Sequence, residues 1–128
     1  MKNIIKFITI VAMGLIVNSC YYDVLIENEY IPVDDANAPE VSYEMDIIPL
    51  WDQCVGCHDG TTPPNLTANV SYNELLNGYV VPEDADSSIL YKSLLGTDGI
   101  ELMPPDAMWP DEKITLVRNW INQGALNN

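Results

Sequence analysis

The spacing of apolar residues divides the chain into three regions. Residues 4–17 form a mainly apolar run, with Lys2 before it and Lys6 near its start. This pattern is typical of an export leader, and the run is too short for a transmembrane helix. Residues 21–40 are acidic, contain no basic residue and show no sustained period, so we expect an extended tether. From residue 41 onward, apolar positions recur at helical spacing, which predicts a small helical domain.

The first helical stripe lies between residues 41 and 57. Its apolar positions are three or four residues apart: Val41, Met45, Ile48, Trp51 and Val55. Pro49 would interrupt a helix, because proline lacks the N–H group and clashes with the preceding turn. We therefore predict a continuous helix over residues 50–57, preceded by a turn or two, with Met45 in the core.

Two short helices are predicted next, over residues 72–77 and 88–95. Ser71 and Glu74 have the spacing of a capping box before the first of them. Gly78 follows that helix as a stop signal.

The last predicted helix spans residues 111–123. Pro110 stands near its first position and Gly124 follows its end, the usual order of these two residues around a helix. One face of the helix is apolar, with these members: Ile114, Leu116, Val117, Trp120 and Ile121.

The charge of the chain excludes some partners. The formal net charge of the 128 residues is −14. Removal of Lys2 and Lys6 with the leader leaves three of the five basic side chains and all nineteen acidic ones, a net charge of −16. This balance argues against nucleic acid and against an anionic membrane surface as partners. It fits either simple solubility or steering toward a basic protein partner.

Cys54-Val55-Gly56-Cys57-His58 is the stretch with the most specific chemistry. C-x-x-C-H is the attachment pattern of c-type haem, in which two thiols form thioethers with the haem and the histidine binds the iron. Residues three and four apart on a helix share a face, so all three side chains would point to one side.

Other sites also use paired cysteines. A structural zinc site needs four ligands. If Cys20 carries a lipid, only Cys54, Cys57 and His58 remain, and a carboxylate would have to be the fourth ligand. A thioredoxin-like C-x-x-C expects a βαβ setting, which the flanking pattern lacks. A chance occurrence of the motif is the remaining alternative.

With this motif and two later stretches, the chain resembles the small monohaem cytochromes c of the class I type, in particular the cytochrome c domains of bacterial lipoproteins. The later stretches are Leu102-Met103-Pro104-Pro105 and Trp120-Ile121-Asn122-Gln123-Gly124-Ala125. The resemblance implies an all-α fold of three to five short helices around one covalent haem c, with the last helix packed across the first. Five aromatic residues would line the haem pocket or fill the core: Trp51, Tyr72, Tyr79, Tyr91 and Trp109.

The resemblance also implies the iron ligands. His58 would be the proximal ligand, and electron-transfer cytochromes c commonly use methionine on the other side. In the family that methionine typically precedes a proline, and Met103 stands directly before Pro104, which favours extended backbone. Met108 is the alternative ligand, and an open or lysine-ligated iron is a third possibility.

Val17-Asn18-Ser19-Cys20 resembles the lipobox of bacterial lipoproteins. It implies a signal peptide over residues 1–19, a lipidated acidic tether over 20–40 and a haem domain over 41–128. Cys20 would carry the lipid and hold the protein in the bacterial cell envelope, on the periplasmic side or at the outer membrane. The alternative is an ordinary signal peptide or an uncleaved anchor.

These resemblances imply a lipid-anchored electron carrier and not an enzyme. Its redox partner would have a basic docking surface. Two other functions fit a haem domain: a sensor or gas-binding domain, which needs an open sixth position, and a haem subunit of a larger redox complex. A peroxidase-type enzyme would need acid–base groups over the iron, and the chain has a single histidine.

Lipidation of Cys20 is directly testable. Because the residue follows a short apolar run and a lipobox-like sequence, mass spectrometry of the mature protein should find an acylated cysteine at its amino terminus. Cys20→Ser should prevent acylation and move the protein to the soluble fraction. A retained leader or an unmodified Cys20 in the wild type would contradict the prediction.

Overall fold

The computed structural model describes residues 38–128, which form an all-α fold, as predicted. The helical elements are a π-helical turn at Tyr43–Ile47, a 3₁₀-helix at Ile48–Gln53, α1 at Ser71–Leu76, α2 at Ile89–Leu95 and α3 at Asp111–Asn122. Across residues 38–128 the only β-pairing is an isolated bridge between Val81 and Asp84. No helix in this range is long and apolar enough to cross a membrane. The predictions for the leader, for Cys20 and for the tether up to residue 37 lie outside the described residues.

The amino-terminal helical segment differs from the predicted helix over residues 50–57. It begins at Ser42, whose hydroxyl accepts a hydrogen bond from the Met45 N–H, and its 3₁₀-helix ends at Gln53. Pro49 lies in the first turn of that 3₁₀-helix, where the missing N–H matters least. The prediction of a regular helix through the cysteine motif is therefore wrong, and residues 54–61 form successive turns.

Burial in this segment also departs from the predicted stripe. Met45 is 74% exposed, so its assignment to the core is wrong. Val41 and Trp51 of the predicted stripe are buried, and Tyr43 and Ile47, which the stripe did not include, are buried as well. Tyr43, Ile47 and Trp51 follow one another at a constant spacing of four residues. The π-helical turn explains the shift, because the Ile48 N–H bonds to the carbonyl five residues back and widens the turn.

Helix α1 is fixed by a bond that the sequence pattern does not reveal. The Tyr43 hydroxyl donates to the Ser71 hydroxyl at 2.7 Å, and both residues are buried. Ser71 is the first helical residue and makes no capping bond, so the predicted capping box with Glu74 is wrong. Burial raises the pKa of the Tyr43 hydroxyl, although its hydrogen bond with the Ser71 side chain acts in the opposite direction.

Helices α2 and α3 lie where the pattern predicts them. Helix α2 ends at Gly96, whose φ of 62° suits glycine, and α3 is followed by Gly124 with φ of 101°. The apolar face of α3 is buried as predicted, at Ile114, Val117, Trp120 and Ile121.

The carboxy-terminal residues pack against the amino-terminal helical segment of the described residues. The Trp120 ring lies 5.0 Å from the Tyr43 ring, centroid to centroid. The Asn128 side chain accepts from the Tyr43 N–H at 2.9 Å, and the Gln123 side chain accepts from the Val41 N–H at 2.8 Å. Helix α3 thus packs on the amino-terminal segment and closes the core.

Tyr43→Phe should lower the free energy of unfolding by about 1–3 kcal/mol, because it leaves the buried Ser71 hydroxyl without its donor. Adding Ser71→Ala should cost less than the sum of the two single substitutions, since no unpaired oxygen then remains. Chemical denaturation of the wild type, both single variants and the double variant measures this coupling. Strictly additive effects would show that the two hydroxyl groups do not interact.

Candidate functional site

Cys54, Cys57 and His58 lie on a single turn that directly follows the 3₁₀-helix. The Cys54 carbonyl accepts from the N–H groups of Cys57 at 3.0 Å and of His58 at 2.9 Å. The Cys54 N–H in turn donates to the Trp51 carbonyl at 2.7 Å. The backbone therefore supplies the helical turn that the motif requires, although no regular helix runs through it.

The loop after the turn orients His58. Its Nδ1 atom lies 3.2 Å from the Thr62 carbonyl oxygen and 3.1 Å from the Pro64 carbonyl oxygen. Carbonyl oxygens only accept, so in the neutral imidazole Nδ1 carries the proton and the other ring nitrogen, Nε2, has the free lone pair. The backbone of His58 is held as well, because its carbonyl accepts from the Leu66 N–H at 2.8 Å. The imidazole is thus prepared to act as a ligand through Nε2.

A glycine allows this loop to close. Gly60 has φ of 112°, which other residues rarely adopt. A Cβ atom there would meet the Asn65 side-chain nitrogen at 3.1 Å. Asn65 is itself fixed, since its oxygen accepts from both the N–H and the hydroxyl of Thr67.

The two cysteines of the turn have different surroundings. Both are free thiols; Cys54 is half-buried and Cys57 is exposed. Burial raises the pKa of the Cys54 thiol, and the positive charge of Lys113 offsets part of that rise. Cys54 therefore lies against the core, whereas Cys57 faces solvent.

Trp51, whose carbonyl accepts from the Cys54 N–H, stacks on a second tryptophan, Trp109. The rings of Trp51 and Trp109 are stacked with centroids 6.1 Å apart, and the Lys113 ammonium lies 5.3 Å from the centre of the Trp109 ring. Both rings are buried, and neither indole N–H has a hydrogen-bond acceptor among the described residues. The Trp51 side chain interacts with the Tyr43 hydroxyl and acts to lower its pKa, so Trp109 is the clearer case of an unpaired donor.

Lys113 is not among the site residues that the sequence predicts. A usable signal was present, because Lys113 follows Trp109 by four residues at the start of a predicted helix, a spacing that brings side chains together. The remaining three pocket candidates are tyrosines that lie in different parts of the fold. Tyr91 is buried, and Tyr72 and Tyr79 are half-buried.

Met103 lies in the loop between α2 and α3. Its N–H donates to the Ser93 carbonyl at 2.8 Å, which ties the loop to α2, and its side chain is half-buried. Met108 is 54% exposed. Of the three methionines in residues 38–128, Met103 is the one not mainly exposed to solvent.

Within residues 38–128, no three histidine, cysteine, aspartate or glutamate side chains converge to hold a metal ion. No protein-family model, no curated protein and no solved structure matches this chain at a significant level. The functional conclusion therefore depends on the residues and geometry of the chain itself.

Proposed function

We propose that this protein is an electron-transfer cytochrome c with one haem bound covalently through Cys54 and Cys57. The observation that carries the proposal is the geometry of His58. Two thiols and an imidazole share one turn, and the imidazole donates through Nδ1 to backbone carbonyls so that Nε2 is available. This is the donor set and the orientation that a c-type haem requires.

The buried indole N–H of Trp109, which has no acceptor among the described residues, supports the proposal that a bound group completes the core. Buried donors without an acceptor are rare in native proteins, and each costs about 1–3 kcal/mol. Trp109 stacks on Trp51, whose carbonyl accepts from the Cys54 N–H, so the unpaired donor belongs to an aromatic pair that is joined to the motif through the backbone. A small domain of this length also has a modest core of its own, which a large apolar ring would enlarge.

The chain's own residues would do the following work. Each thiol would add across a haem vinyl group, with sulfur bonding to one carbon and the thiol hydrogen to the next. His58 would bind the iron through Nε2, and the carbonyl groups of Thr62 and Pro64 would fix its ring. The haem would supply an iron that gains and loses one electron.

Met103 is the proposed second axial ligand. Its side chain is partly enclosed and its backbone is anchored to α2, whereas Met108 projects into solvent. A thioether ligand favours reduced iron and raises the reduction potential, as electron carriers commonly require.

The proposed carrier is held in the bacterial cell envelope through a lipid on Cys20. Its strongly acidic surface favours a redox partner with a basic docking surface and disfavours nucleic acid. Such a carrier could act alone or as the haem subunit of a larger redox complex.

Covalent attachment is the first test of this proposal. When the protein is produced with a haem-maturation system, it should retain haem in a denaturing gel and gain the mass of one haem. Replacement of both Cys54 and Cys57 by alanine should abolish both signals, since no thioether can then form. Val55→Ala, a change within the same turn, should leave attachment intact. An unchanged polypeptide mass in the matured wild type would refute the proposal.

Ligation by Met103 separates an electron carrier from a gas sensor. The oxidised protein should show the weak long-wavelength band of sulfur bound to ferric iron, and the reduced protein should resist carbon monoxide. Met103→Ala should remove the band, lower the potential and admit carbon monoxide, with the haem still attached. Met108→Ala is the matched control and should change none of these properties. A wild type without the sulfur band that binds carbon monoxide readily would favour the sensor instead.

A further inference from the structure

Lys113 has an unusual position among the basic side chains of the described residues. Lys92 pairs with Asp98 at 3.1 Å, and Arg118 lies 4.0 Å from Asp86. Within residues 38–128, Lys113 has no carboxylate within ion-pair distance. Its ammonium instead lies over an aromatic ring, in a chain whose net charge is strongly negative.

Lys113 is connected to the cysteine motif through two tryptophans. Its ammonium is 5.3 Å from the centre of the Trp109 ring, and that ring stacks on Trp51 at 6.1 Å. The Trp51 carbonyl accepts from the Cys54 N–H. The effect of the Lys113 charge on the pKa of the Cys54 thiol is a second sign of this proximity.

The position has an electrostatic consequence for a haem bound at Cys54. Oxidised haem carries one more positive charge than reduced haem, so a nearby cation disfavours oxidation. Charges interact more strongly where tryptophan rings exclude water than they do in bulk solvent. The face of an aromatic ring attracts a cation, and Trp109 therefore holds the Lys113 ammonium in place without neutralising its charge.

We propose that the positive charge of Lys113, held against Trp109, raises the reduction potential of the haem attached at Cys54. This inference rests on the proposed function. It assigns to Lys113 an equilibrium role in setting the potential, distinct from any role in docking a partner. The cation opposes the acidic surface, which on its own would favour the oxidised state.

The test is the midpoint potential of the haem-loaded protein, measured by spectroelectrochemistry at fixed pH and ionic strength. Lys113→Gln should lower the ratio of reduced to oxidised protein at a given applied potential by about three- to tenfold, because it removes a unit positive charge from a partly buried site. A tenfold change corresponds to about 59 mV for a one-electron couple. Lys113→Arg keeps the charge and should keep the wild-type potential.

Two further variants complete the experiment. Lys113→Met retains the aliphatic stem against Trp109 and should lower the potential as much as Lys113→Gln does. It keeps the test valid if the glutamine variant takes up haem poorly. Lys92→Gln removes the same charge from α2 and should shift the potential less. An unchanged potential in both neutral variants of Lys113, or an equal shift in Lys92→Gln, would overturn the inference. Absence of covalent haem from the wild type would instead refute the proposed function.

Discussion

The packing of Tyr43 against Trp120 is the interaction on which the rest of the fold depends. The two buried rings join the amino-terminal segment to α3, and the Tyr43 hydroxyl extends the contact to Ser71 at the start of α1. One side chain thereby connects three elements that are far apart in sequence. In a domain with a modest core, two large aromatic side chains account for a considerable share of the apolar surface that is buried.

This contact also determines where the cysteine motif lies. From Tyr43 the buried positions continue to Trp51, after which the chain leaves the core and turns through Cys54. It returns to the core at Leu66, which is 5% exposed and whose N–H donates to the His58 carbonyl. The motif is therefore a turn between two buried residues, Trp51 and Leu66. They fix its backbone and leave Cys57 exposed to solvent.

Features encoded by local pattern could be predicted, and features that depend on tertiary contacts could not. Helix α3 was predictable to within one residue, because its apolar face, Pro110 and Gly124 all act locally. The same reasoning failed at Met45, where a π-helical turn changed the buried face, and at Ser71, whose hydroxyl bonds to a residue 28 positions earlier. The motif itself is local and was recognisable, but the carbonyl groups that orient the His58 ring come from a loop whose closure no periodic pattern encodes.

The unequal exposure of the two cysteines suits the two requirements of an electron carrier. Exchange with a partner needs an accessible haem edge, whereas control of the potential needs charges held away from water. Cys57 is exposed, and hydrogen bonds from Thr61, its side chain above all, lower the pKa of the nearby Asp59 carboxyl. Cys54 is half-buried on the side of Lys113. Under the proposed function, the acidic surface beside Cys57 would recognise a basic partner while the cation near Cys54 would set the potential. Substitutions on either side could then alter one property without the other.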